Sequence, residues 1–587
     1  MLVPSRPSAR AAAVVGALCA GLVVSAIPGI ASTASTPPAP AAPVRAAAAV
    51  AAPVRTPVLP SAFTTQKIRW QPCFSSLPSG LPRAALKMQC GAYKVPRSWA
   101  APSVTSAVTI VVSRLPATRT PARGAMFTNP GGPGRSGLML PLNFLVTNRA
   151  SLLVSQDLYG IDVRGTGLST NATCGDPAHV QYDPRVRSAA NYKRIFNQAT
   201  RYAALCDTKG GAFIDSVTTY NTVRDLDLLR RLIKQNKVNY IGYSGGSWLG
   251  AAYATAFPKQ TGRFVLDSNL DVTGSWQKAF NLQPRGFERR FRSDFLPWAA
   301  SNHSTYSLGA TTAEVLAFYE KLRADLARRP LRVDEDMVVN GPVLDFLTAS
   351  SLYSKSEFPS LADDLAALRT LLDTRGTSAS QRRLAAALTE QLDESLEDVA
   401  PPGMGTPDAD EAAFHAITCN DTPWTGKAAG LVASSAAQGK LYPLIGWSTI
   451  DQACVFWRRP AVPAVPMTGK GAPPMMLVQS ERDPATPIEG ARRSNAALVG
   501  SRMLVVTGEG DHGVYAGGNA CVDKAVETFI VNGVLPAKGA TCAGLPLPPA
   551  DPGSPEAALT GSAVNPLVRA AELTRRVSVS RTVAGLS

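Results

Sequence analysis

Short apolar runs, each closed by Gly, Pro, Asn or Asp, recur along most of the chain. "VTIVVSRL" (108–115), "GAMFTNP" (124–130), "DLYGIDVRG" (157–165), "VNYIGYS" (238–244), "GRFVLDS" (262–268), "PMMLVQSERD" (474–483) and "RMLVVTGEGDH" (502–512) predict strands. Segments with apolar residues at helical spacing lie between several of them, such as "YNTVRDLDLLRRLIKQNK" (220–237). Strands alternating with helices predict an α/β architecture, a mostly parallel sheet covered on both faces. The alternation stops after Asp271. Residues 273–410 hold few strand formers and are rich in Ala, Leu, Arg, Glu and Asp. "TTAEVLAFYEKLRADLARR" and "LADDLAALRTLLDTRG" read there as amphipathic helices. A separate domain is one reading of this stretch. Resumption of the strand–helix pattern favours a helical cap inserted after the sixth strand, between core segments 63–272 and 411–548.

The ends have a different texture. Arg6 and Arg10 precede an apolar, small-residue run from Ala11 to Ile27, and small residues follow to Ala34. This layout predicts a secretory signal peptide over 1–34, cut after Ala31 or Ala34. A membrane anchor is the competing reading; the run is short and rich in Ala and Gly for that role, so no stable membrane insertion is expected after cleavage. Residues 35–62 alternate Ala and Pro with little to bury, and predict a linker or pro-segment. Residues 549–587 read as a flexible tail.

Export changes the meaning of the cysteines. Setting aside Cys19, eight remain, and an even number in an exported chain predicts disulfides. Eight cysteines allow 105 pairings. They fall into neighbouring couples, so the expectation is Cys73–Cys90, Cys174–Cys206, Cys419–Cys454 and Cys521–Cys542. Each such loop contributes on the order of 3 kcal/mol. No Cys-x-x-Cys or His-x-x-x-His occurs, and no metal or other cofactor is expected. At 587 residues and 45% hydrophobic, the chain can bury a large core. The net charge of +16 is scattered among acids, and "RGFERRFR" (285–292) reads as a solvated helix face, so no nucleic-acid partner is expected.

The candidate chemistry centres on Gly-Tyr-Ser-Gly-Gly, residues 242–246. A nucleophilic serine must project from a strained strand-to-helix turn, and small neighbours let the strand and helix approach. "NYIG" supplies a strand and "WLGAAYATAF" a helix, so Ser244 falls at the turn. A serine hydroxyl needs a base, and the base needs an orienting acid. On this architecture the chain order is serine, acid, histidine, which removes His179. His303 lies in the insertion and His415 in a helical stretch. His512, after a strand and a Gly-rich loop, is the base by position. Asp483 follows the preceding strand and is the first candidate acid. Asp267 is the alternative, and Asp511 adjoins the base at an awkward angle. Acyl transfer also needs donors for a developing oxyanion. Gly245 offers one N–H, and the "FTNPGGPGRSG" loop offers Gly131 and Gly132. The same loop nominally matches Gly-x-Gly-x-x-Gly over Gly132–Gly137, but Pro133 interrupts it and argues against a dinucleotide site.

Taken together, "NPGGPGRSG", "DVRGTGLS", "GYSGGSWLG", "DPATP", "GDHG" and "AITCND" resemble the secreted tripeptidyl aminopeptidases and other α/β-hydrolases of the proline-iminopeptidase type with a TAP-like C-terminal region. The resemblance spans about residues 65–545. It implies an α/β-hydrolase fold, Ser244, Asp483 and His512 as a triad, Gly131–Gly132 as part of the oxyanion hole, and Asp162–Arg164 as a structural turn near the site. Two positions depart from the family pattern. Arg135 replaces a usual Gly and puts a charge beside the oxyanion loop. Asp511 replaces a usual Gly before the histidine, where it would raise the pKa of His512. The expected activity is release of short N-terminal peptides, tripeptides among them, from substrates with a free N-terminus. An acid must then receive the substrate ammonium, with Asp421 and Glu481 as candidates. An esterase on the same fold, and a non-catalytic binding protein, are the alternatives. Nothing in the chain sets an oligomeric state.

Overall fold

A computed structural model describes residues 58–76, 81–175, 180–332, 338–374, 408–460, 462 and 467–550. The signal stretch, most of the 35–62 segment, His179 and nearly all of the tail lie outside the described residues.

The described residues form twelve strands: β1 (Gln71–Pro72), β2 (Gln89–Pro96), β3 (Ala107–Leu115), β4 (Gly124–Asn129), β5 (Gln156–Asp162), β6 (Val238–Tyr243), β7 (Thr261–Asp267), β8 (Leu331–Arg332), β9 (Val338–Val339), β10 (Met476–Ser480), β11 (Arg502–Thr507) and β12 (Thr541–Ala543). Ten form one sheet in the order β1-β2-β3-β5-β4-β6-β7-β10-β11-β12. The first three pairings are antiparallel, and every pairing from β5–β4 to β11–β12 is parallel. This is the α/β-hydrolase fold.

Period-2 alternation splits each strand between two cores. Phe127, Tyr240 and Leu477 belong to one buried cluster, whereas Met126, Ile241 and Met476 belong to the other, on the opposite face. Helices cover both faces, which is why the central strands read as continuous apolar runs.

The helices of the 273–410 stretch lie between β7 and β10. They follow the seventh strand rather than the sixth, because the short edge strand β1 and the apolar-poor β2 both precede β3. The cap has its own core, built on Phe287, Phe291, Phe295, Trp298, Tyr319 and Phe358. Its helix Thr312–Arg328 starts at a capping box in which Thr311 and Glu314 satisfy each other's backbone N–H. All four expected disulfides are formed, Cys73–Cys90, Cys174–Cys206, Cys419–Cys454 and Cys521–Cys542. Among the described residues, no helix is long and apolar enough to cross a membrane.

Candidate active site

Ser244 sits between β6 and the helix Gly245–Ala256, with φ 52° and ψ −120°. A non-glycine residue in that region stores about 1–3 kcal/mol of strain. The surroundings hold it there. Ser244 N donates to Asp267 O at 2.9 Å, and its carbonyl accepts from Ser247 N at 2.8 Å and Ser247 Oγ at 2.6 Å. The flanking glycines are demanded by space: a methyl on Gly242 would lie 2.5 Å from Gly246 O, and one on Gly246 would lie 2.8 Å from Asn129 O. Gly242→Ala is therefore expected to destabilise the fold by about 1–3 kcal/mol through overpacking and to lower activity, read by urea unfolding and turnover.

The imidazole of His512 is fully buried, and its Nδ1 lies 3.0 Å from both Oδ1 and Oδ2 of Asp483. Asp483 Oδ1 also accepts from Ala485 N at 3.0 Å and Thr486 N at 2.8 Å, and Oδ2 from Thr486 Oγ1 at 2.9 Å. These donors fix the carboxylate, and through it the ring and the tautomer with hydrogen on Nδ1. His512 N donates to Tyr353 O at 2.8 Å, and the Tyr353 ring packs edge-on against the imidazole at 5.1 Å between centroids. A cap residue thus forms one wall of the site.

The loop after β4 runs directly beneath the serine. Gly131 has φ 95°, and a Cβ there would lie 2.4 Å from Tyr243 O and 3.0 Å from Ser244 Cβ. Its N–H, expected as an oxyanion donor, instead donates to Asn129 Oδ1 at 3.0 Å. Gly131 gives closeness, and the donors left for an oxyanion are the N–H groups of Gly132 and Gly245. These two peptides are adjacent: the Cβ position of Gly245 is 3.2 Å from Gly132 N. Asp162 anchors the far end of the loop by accepting from Ser136 Oγ at 2.7 Å and from Gly137 N and Leu138 N at 3.0 Å each. Arg164 makes a buried two-pronged pair with Asp225, at 2.7 Å on each prong. Both fit the structural turn that the sequence implied.

The TAP-like protein family signature matches residues 442–542, the part that carries β10, β11, Asp483 and His512. The tripeptidyl aminopeptidase of Streptomyces lividans is 32% identical over 491 residues, covering 81% of this chain and 86% of that one. The chain belongs to the tripeptidyl aminopeptidase family. Serine protease Hip1 of Mycobacterium tuberculosis is 28% identical over 497 residues, 81% of this chain and 91% of its own length. A protein named carboxylesterase B from the same organism is 28% identical over 471 residues, 78% of this chain and 86% of that one. A tripeptidyl aminopeptidase-family chain is a serine hydrolase of peptidase type, and this one is an enzyme of that kind.

Within this family member, the remaining candidates go elsewhere. Asp267 Oδ2 accepts from Val514 N at 3.0 Å and Tyr515 N at 2.7 Å, so it secures the loop that carries His512 rather than the imidazole. Burial pushes its pKa up to about 6, against the pull of those amides. A carboxyl with a raised folded pKa holds protons that the unfolded chain has released. Its contribution is present below pH 4 and lost as pH rises to about 6, an amount of roughly 3 kcal/mol. The stability gap between wild type and Asp267→Asn is expected to change by that much between pH 4 and 7, as read by urea unfolding.

Asp511 was expected to act on His512. Its side chain turns away, taking Arg290 Nη2 at 2.5 Å and Lys355 N at 2.8 Å, because adjacent side chains diverge and the cap supplies cations. Asp421 was expected near the substrate amine. Its Oδ1 accepts from Thr219 N at 2.7 Å and its Oδ2 from Thr219 Oγ1 at 2.6 Å and Trp276 Nε1 at 3.2 Å, which ties helix Thr219–Leu232 to the cap base. Glu481 Oε2 accepts from Gly508 N at 2.8 Å and joins the loops after β10 and β11. Asp421 is thus held by one backbone and two side-chain donors, and Glu481 by a backbone N–H. Arg135 is exposed, its stem folded over Gly132, with Cγ 3.1 Å from the Cβ position there. His303 Nδ1 accepts from Gly309 N, and His415 is buried in a helix against the Tyr202 ring, 4.7 Å between centroids. The sequence reading passed over Tyr353, Thr486 and Asn129. None carries a local signal beyond a Pro-rich loop at Thr486.

Proposed function

We propose that Ser244, His512 and Asp483 form the catalytic triad of a secreted exopeptidase that removes short peptides, tripeptides among them, from free N-termini. Ser244 Oγ attacks the carbonyl carbon of the scissile bond as His512 Nε2 takes its proton. The resulting oxyanion is met by the N–H groups of Gly132 and Gly245. His512 then returns the proton to the leaving amine, the C–N bond breaks, and an acyl-enzyme remains. Water attacks it with the same base, and the released acid frees Ser244. Asp483 stabilises the imidazolium that forms twice in the cycle.

The observation that carries this reading is a buried imidazole whose Nδ1 lies 3.0 Å from both Asp483 oxygens, in the same fold as a serine on a strained elbow. The relatives called tripeptidyl aminopeptidase support the substrate class. The four disulfides and the N-terminal pattern support export. The relative named carboxylesterase B favours one second reading, hydrolysis of small esters.

The test compares a tripeptidyl p-nitroanilide with its N-acetylated form and with p-nitrophenyl acetate. Mass spectrometry of products from a peptide mixture runs alongside. An exopeptidase prefers the free amine and releases peptides of one length. Fast ester turnover with no arylamide cleavage would establish the second reading instead. N-terminal sequencing of protein from culture supernatant tests export.

A further inference from the structure

The proposed exopeptidase needs an anion to receive the substrate's ammonium group, and the two carboxylates expected from sequence are occupied. A third one is not. Asp410 stands in the first turn of the helix Ala409–Asp421, which lies across the oxyanion loop. A Cβ on Gly134 would sit 2.8 Å from Phe414 N and 3.0 Å from Ala413 Cβ. Asp410 precedes those contacts by three and four residues, so it shares their face of the helix. Its Oδ1 is buried and has no hydrogen-bond partner among the described residues. The other buried carboxylates around the site contrast with it. Asp162, Asp267, Asp421 and Asp483 each accept several protein donors. A buried carboxylate oxygen left without a donor is costly and uncommon, and calls for a partner.

The Arg135 guanidinium acts on Asp410 and also on Tyr353, the residue whose ring packs against His512. No ion pair between Arg135 and Asp410 is formed. Asp410 stands on the helix that packs against Gly134, at the end of the loop that begins beside Ser244 at Gly131. Burial pushes its carboxyl pKa up, and the Arg135 charge opposes that shift. A bound ammonium would oppose it further.

We propose that Asp410 is the specificity-determining residue that receives the α-ammonium of the peptide, so that cleavage is measured from a free N-terminus. This rests on the exopeptidase reading above. An ammonium is compact and brings three donors, which suits a carboxylate with an unfilled oxygen. The anchor would also make an N-blocked peptide a poor substrate by leaving Asp410 without a donor.

The experiment measures kcat and KM for the tripeptidyl p-nitroanilide and its N-acetylated form, in wild type, Asp410→Asn and Asp410→Glu. Fluorophosphonate labelling reports that each variant retains a working serine. In Asp410→Asn, KM for the free-amine substrate is expected to rise tenfold to a hundredfold, and the preference over the acetylated form to fall by the same factor. Asp410→Glu keeps the charge and is expected to retain much of the preference. A labelled Asp410→Asn that discriminates as wild type does overturns the assignment. A wild type that does not discriminate defeats the exopeptidase reading itself, and the two failures are thus distinct. If Asp410→Asn does not label, Asp410→Ser is read in the same way.

Discussion

Asp483→Asn is expected to lower kcat by about 10⁴-fold while the protein stays folded. In the proposed triad the carboxylate holds hydrogen on Nδ1 of His512, so that Nε2 takes the serine proton. An amide in its place fits the same volume, yet it can offer an N–H to Nδ1 and so stabilise the wrong tautomer. The backbone donors at Ala485 and Thr486 can still bond the amide oxygen, so the loop is retained. The companion variant is Asp267→Asn, since either acid follows a strand before the histidine. Its oxygen serves Val514 N and Tyr515 N, and its loss weakens the loop that carries His512. A stability loss with a smaller drop in kcat is expected there. Steady-state turnover and urea unfolding of both variants separate the two acids, and the reverse outcome would exchange their roles.

Arg290→Met is expected to cost about 3–5 kcal/mol, the usual loss when one member of a buried ion-pair network is removed. Arg290 lies in the cap, 1% exposed in its side chain, with Asp294 Oδ2 and Asp511 Oδ1 each at 2.5 Å. Its Nη1 is 2.0 Å from the position a Cβ would take on Gly510, so that glycine is what admits the guanidinium. Lys355 joins the network through Glu509 Oε2 at 2.5 Å. This cluster fastens the cap to the three residues before His512, Glu509 to Asp511. Removing the cation leaves Asp294 with Arg482 alone and Asp511 with Lys355 alone, so two buried carboxylates are under-compensated and the loop carrying the imidazole is loosened. Activity should fall alongside stability. Adding Asp511→Asn to Arg290→Met is expected to restore part of both, because the uncompensated charge is gone. Thermal unfolding and turnover of the single and double variants check this.

Features set by local chemistry were legible in the sequence. The elbow was readable because Gly242 and Gly246 have no room for a side chain, and that leaves a fixed pattern around Ser244. Strands β3 to β7 and β10 were readable because both their faces are largely buried, and β11 because buried Leu504 and Val506 alternate with half-buried Met503 and Val505. Strand β2 escaped notice, since Gln89, Lys94 and two prolines or glycines dilute its apolar pattern, although Tyr93 and Val95 are core residues. The disulfides followed from proximity along the chain. Carboxylates were the hardest to read. Asp421, Glu481 and Asp511 carry the same group as Asp410, and only their neighbours in space show which oxygens are already taken. Tyr353 and Arg290 reach the site through the packing of the cap, which no local pattern encodes.

Every step of the proposed cycle requires Ser244 as the activated nucleophile. The direct measurement is labelling of the intact protein with a fluorophosphonate, followed by peptide mass spectrometry. One adduct per chain is expected, on the peptide containing Ser244, lost in Ser244→Ala and slowed by orders of magnitude in His512→Ala. A hydrolytically active preparation with the adduct on another residue, or with Ser244 unmodified, would contradict it.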